Sequence, residues 1–179
     1  MNGSNPLIRY QALIEVGGFD EKLPPAEDWD MWLKLANHYH FVVVKSPQVL
    51  YRQSSLSASS NVLKMEKASL MLLKNALNYR PNSLKNISNT ALGNLYKYLT
   101  WKALVGIPKK DNCFTAIRFL YCAVKYHPRL VFKKAFLKVI SRIILLLILP
   151  PQLATISFNQ LKSMTDHTTL LGYIKVEVS

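Results

Sequence analysis

From Val62 to Leu149 the apolar residues recur at helical spacing throughout, and this run most narrows what the chain can fold into. Four helices are expected, at about Leu63–Tyr79, Leu84–Val105, Cys113–Tyr126 and Pro128–Leu149. Pro128 suits a first helical turn, where its missing N–H is no loss. The same region is strongly basic: residues 61–150 hold 16 Lys/Arg against 2 Asp/Glu, residues 1–60 hold 5 against 6, and residues 151–179 hold 2 against 2. One segment therefore carries the formal charge of +13, and it implies an anionic partner such as a membrane surface, a nucleic acid or an acidic protein. Serine-rich Ser54–Ser60 coincides with the change in charge and reads as a boundary.

The front of the chain follows different rules. Pro6 to Arg9 is extended, Tyr10 to Val16 a short helix, and Gly17 its C-terminal glycine in a left-handed conformation. Gly18-Phe19-Asp20-Glu21 opens a loop that Pro24-Pro25 stiffens. A helix then runs from about Glu27 to Asn37, with Trp29, Trp32, Leu33 and Ala36 at i, i+3, i+4 and i+7 as its apolar face. Asp28 and Asp30 point away from that face, and Asp28 or Glu27 would serve as N-cap. Phe41 to Val44 reads as a buried strand and Val49-Leu50-Tyr51 as a second, with a turn at Ser46-Pro47. In the neutral tail, residues 151–179, only Leu170–Val178 suggests a strand. The fold class is thus mainly α with a small α/β portion.

The acidic cluster Glu27, Asp28 and Asp30 has two readings. Carboxylates in a first turn complement the helix dipole, at about 0.3–1 kcal/mol each. A carboxylate held at a helix N-terminus behind a rigid loop is also where a general base can be fixed, and the N-terminus would favour its ionised form. The glycine pair and the proline-stiffened loop upstream weigh toward the second.

These motifs carry a resemblance. Gly17-Gly18-Phe19-Asp20-Glu21, the Glu27–Ala36 helix, the valine-rich run and Val49-Leu50-Tyr51-Arg52 resemble, in order and spacing, the carboxyl-terminal half of a family 2 glycosyltransferase domain of GT-A fold. The likeness covers about residues 5–60. It implies a partial GT-A domain (1–60), a basic helical extension (61–150) and an unassigned tail (151–179). It also implies that Asp28, with Glu27 beside it, is the base that deprotonates an acceptor hydroxyl as this attacks a nucleotide-sugar with inversion. Gly17 and Gly18 would allow close approach of the sugar or acceptor, Trp29 and Asp30 would line the same cavity, and Arg52 would face the diphosphate. The family's nucleotide-binding half, with its Asp-x-Asp metal site, normally precedes this region. A divalent metal, Mg or Mn, is accordingly expected only with that half, no cofactor is expected on this chain, and a product inactive alone is expected. The implied partners are a nucleotide-sugar and a saccharide or lipid-linked acceptor.

Remaining features add little chemistry. His38 and His40 lack a third metal ligand and read as solvated. Cys113 and Cys122 have neither zinc-site nor disulfide spacing, which suits reduced thiols. The N-terminus has no apolar signal region, and the apolar run Val139–Leu149, broken by Ser141 and Arg142, is too short to span a bilayer. A cytoplasmic location follows, with the inner face of the membrane open, because Lys125, Arg129, Lys133, Lys134, Lys138 and Arg142 flank an apolar stretch. Nucleic acid is the weaker partner, since Tyr96, Tyr98 and Trp101 at helical spacing fit a core better than a stacking platform. The residues from Ser69 to Pro81 align with those from Ala116 to Pro128 at an offset of 47. Stacked helical hairpins, weakly tetratricopeptide-like, are expected from that repeat. A basic helical scaffold is the alternative to an enzyme.

Overall fold

The computed structural model describes residues 6–46, 49, 61–79, 81–105 and 110–173. It is mainly helical, with no strand among the described residues. The helices are α1 (Tyr10–Glu15), α2 (Glu27–His38), α3 (Val62–Tyr79), α4 (Pro81–Ala103), α5 (Lys110–Tyr126), α6 (Lys134–Ile148), α7 (Pro151–Gln160) and α8 (Lys162–Thr165), with 3₁₀ turns at Pro128–Phe132 and His167–Tyr173. They form two compact units, Met1–Pro81 and Asn82–Ser179.

In the first unit, Ala12 of α1 and Met31 and Leu35 of α2 make the core, with Ile8, Leu13, Val16 and Trp32 packed around it. α3 packs on α2. The Tyr39 hydroxyl donates to the Glu15 carboxylate, joining the C-terminal ends of α1 and α2. The buried face of α2 differs from the expected one. Trp29 and Leu33 are exposed, at 45% and 44%, and Ala36 is exposed too, while Asp30, Met31 and Leu35 are buried. Both lines of α2 are apolar, and α1 selects the one carrying Met31 and Leu35.

Nor is Phe41–Val44 a buried strand. All four side chains are exposed, Val42 at 93%, and the run is unpaired. A strand exists only through hydrogen bonds to a neighbour, and the described residues offer none. Val49 is exposed, and the rest of the second expected strand lies outside the described residues, as do Ser54–Ser60.

In the second unit α6 is the hub, touching α5, α7, α8 and both 3₁₀ turns. Its inward residues are Ala135, Val139, Ile143 and Leu146, at i, i+4, i+8 and i+11. From α5, Cys113, Ala116, Phe119, Leu120 and Ala123 are buried. α4 contributes Tyr96, stacked on Tyr126 at 6.0 Å and tilted against Phe119 at 6.1 Å. Of the aromatic stripe there, Tyr96 is core, as its spacing suggests, while Tyr98 and Trp101 are half-buried. Lys97 is also buried and donates to Asn94 at 3.3 Å.

The helix expected over Pro128–Leu149 is divided at Lys133, whose backbone is extended (φ −96, ψ 141). Val131 and Phe132, β-branched and aromatic, are poor helix formers; a 3₁₀ turn there buries Leu130 before α6 begins. In the tail, helix replaces the expected strand as far as Tyr173: α7 and α8 follow Pro151, and Leu170 is buried within the last 3₁₀ turn. Residues 174–178 of that strand lie outside the described residues.

Candidate functional site

The corner between α1 and α2 gathers most of the candidate residues. α1 ends in a two-bond glycine cap: Gly17 N–H donates to the Ile14 carbonyl and Gly18 N–H to the Leu13 carbonyl, both at 3.0 Å. Gly17 and Gly18 have φ of +81° and +69°, the left-handed region that L-residues enter only with strain. A Cβ at either would meet nothing within 4 Å, so both backbones border open space.

The loop beyond is built in short steps. Asp20 accepts from Lys22 N–H at 2.9 Å through its side chain. Leu23 is buried, the Pro24–Pro25 bond is cis, and Ala26 is the N-cap of α2. No side chain caps the helix, so neither Glu27 nor Asp28 plays the capping role expected of it. The helix begins at Glu27, so both residues lie inside its first turn and not at the cap.

Asp28 is half-buried, and its Oδ1 accepts from Trp29 N–H at 2.8 Å. Burial pushes its carboxyl above the usual aspartate range. The Trp29 N–H opposes that shift, and the neighbouring Glu27 charge adds to it. Burial therefore outweighs the helix N-terminus, the reverse of the expected balance. Glu27 Oε2 is itself buried and has no hydrogen-bond partner among the described residues. Two adjacent carboxylates thus differ in use: one is made more basic, and the other holds an unfilled acceptor position.

Asp30 sits apart from them. It is buried and paired with Lys34 at 2.6 Å, and Lys34 Nζ also reaches the Gly18 carbonyl at 3.5 Å. Lys34 is the residue that sequence reasoning passed over, although its i,i+4 spacing from Asp30 marks a helix pair. It ties the glycine loop to α2. Asp28 and Asp30, two apart, lie on different sides of the helix and cannot close on one cation. The described residues hold no group of three or more His, Cys, Asp or Glu suited to a metal.

Gly18 and Asp30 are thus linked through Lys34, while Glu27 and Asp28 stand in the first turn of α2 with Trp29 exposed beside them. Arg52 lies outside the described residues. His38 and His40 are exposed, no disulfide joins Cys113 to Cys122, and burial pushes the pKa of the Cys113 thiol up.

A family described as glycosyltransferase-like family 2 matches residues 1–103, and the chain belongs to that family. The match takes in the corner and continues through α3 to the end of α4. Comparison with curated proteins and with solved structures returns no match.

Proposed function

We propose that this chain acts on the acceptor side of a sugar transfer, in which a hydroxyl attacks the anomeric carbon of a nucleotide-sugar with inversion. Asp28 takes the hydroxyl proton, the new glycosidic bond forms, and the nucleoside diphosphate leaves. Glu27 accepts a hydrogen bond from the acceptor, while Gly17, Gly18 and Trp29 border the space it occupies. The observation that carries this reading is the raised proton affinity of Asp28 at a half-buried position beside a carboxylate with an unfilled acceptor position. A base works best when its pKa is brought toward the working pH. The exposed, unpaired Phe41–Val44 run supports the idea that residues 1–60 belong to an α/β sheet domain of GT-A type. In this reading, the nucleotide-sugar and its Mg or Mn ion are held by groups other than those described. Arg52 is the residue this reading assigns to the diphosphate. The setting is the cytoplasm, at the inner membrane face where the acceptor is lipid-linked.

The test is transfer from a panel of uridine-diphosphate sugars by the chain paired with a donor-binding half, read as release of the nucleoside diphosphate. Asp28→Asn should lower turnover by about 10²–10⁴-fold, the usual contribution of a general base, while donor binding is kept. Undiminished turnover in that variant would remove Asp28 from the role. The charge of residues 61–150 favours a second reading, a non-enzymatic basic scaffold of tetratricopeptide-like hairpins. Failure of every donor, together with stable capture of an acidic protein by the full chain, would favour it.

A further inference from the structure

α6 is apolar on the side that faces water as well as on the side that faces the core. The line opposite its buried residues, at 3.6 residues per turn, passes through Lys134, Leu137, Ser141, Ile144 and Ile148. On a bundle helix that line ordinarily carries polar side chains. Here Leu137, Ile144 and Ile148 are 63%, 48% and 72% exposed, and Phe132, just before the helix, is 88% exposed. Lys133 and Lys134 are exposed at the N-terminal end of the line, and Arg129 is exposed shortly before them. No Asp or Glu occurs from Arg129 to Thr165. The result is an aliphatic line roughly 20 Å long at the helical rise, with cations gathered at one end.

Charge decides the occupant. A second copy would lay one segment with 14 surplus positive charges against another, and like charges oppose that contact. A nucleic acid would engage the cations and leave the aliphatic line in water. An anionic lipid surface satisfies both, since phosphate headgroups meet the cations and acyl chains meet the aliphatic line. The helix has 15 residues, about 22 Å, against a hydrocarbon core of about 30 Å. No described helix is long and apolar enough to cross a membrane.

We infer that α6 and the turn before it form a membrane-surface site, in which Leu137, Ile144, Ile148 and Phe132 enter the headgroup boundary and Lys133 and Lys134 bind anionic lipid phosphates. This site is independent of the glycosyltransferase reading, and its test uses no activity.

The full chain is floated with vesicles of phosphatidylcholine alone and with vesicles of phosphatidylcholine mixed with phosphatidylglycerol. Binding is expected on the mixed vesicles only, falling as salt rises. Lys133→Gln with Lys134→Gln should weaken it by roughly 30-fold. Leu137→Gln, Ile144→Gln and Ile148→Gln together should weaken it by about tenfold or more even at low salt. Circular dichroism and the melting midpoint of that triple variant should stay unchanged, because all three side chains are exposed. Equal binding to both vesicle types, binding to neither, or unaltered binding by either variant overturns the proposal. So does lipid-independent dimerisation that the triple variant abolishes, or retention by nucleic acid where vesicles retain nothing.

Discussion

At Gly17 the space for a side chain is open but the backbone is left-handed. Alanine there would lose through conformation alone, at about 1–2 kcal/mol. Gly17→Ala should lower the urea midpoint accordingly, and Gly17→Asn, which tolerates this region better, should lower it less. Asp28 behaves in the opposite sense. Its pKa is raised in the folded protein, so folding disfavours the charged form. Its contribution to stability is fully present below the unfolded pKa and is lost as pH rises through the folded value. At neutral pH Asp28→Asn should therefore leave the melting midpoint unchanged or slightly higher, while below about pH 3 the two proteins should converge. A fall in stability at pH 7 would contradict the burial-driven shift. The glycine cap was legible in the sequence because left-handed positions select residue type locally. The direction of the Asp28 shift was not, because it depends on what the loop and helix place around the carboxyl.

On α2 the apolar residues form two overlapping lines, and the helix buries the one through Met31 and Leu35. Met31→Ala should cost about 2–5 kcal/mol, as large-to-small core changes do. Leu33→Ala, on the exposed line, should stay within about 0.5 kcal/mol. Thermal or denaturant unfolding of the pair gives the comparison, and equal losses would mean that the helix is turned the other way. Between α4 and α5 the close contact is Gly93. A Cβ there would come within 2.5 Å of the His127 ring, which also adjoins the end of α5. Gly93→Ala should destabilise by about 1–3 kcal/mol through overpacking, with His127→Ala restoring part of the loss in the double variant. Periodicity located α1 to α5 closely, since helical spacing is a local property. The break at Lys133 escaped it, because a separate turn that buries Leu130 and packs on α5 and α6 is set by packing and not by spacing.

The second unit carries an acid-sensitive cluster. Arg142 lies over the Phe158 ring at 3.9 Å, and burial lowers its pKa while Asp166 raises it. His167, in the following 3₁₀ turn, is pushed down to about 4, first by burial and then by Arg142, with Asp166 opposing. A histidine depressed in this way adds stability that is present above its unfolded pKa and is lost as pH falls through the folded one. The window is therefore about pH 6.5 to 4, and the loss amounts to roughly 3 kcal/mol. Asp166 itself is held below the usual range by its Thr168 hydrogen bond, so its own loss comes at lower pH. Denaturant midpoints at pH 7 and pH 4 should separate for the native protein, and His167→Gln should remove most of that difference.

Composition and periodicity by themselves determined the helical class, the basic segment and the glycine-capped turn, and the order of motifs at 17–52 carried the resemblance to a family. All of these are local, depending on residue type and spacing along one chain. Tertiary structure alone decided which face of α2 is buried, that Lys34 joins Asp30 to the Gly18 loop, that Phe41–Val44 stands unpaired, and that α6 has an apolar side turned to water. Each of those rests on contact, or want of contact, between residues distant in sequence. A linear pattern records what a side chain is, while its neighbours settle whether it is covered.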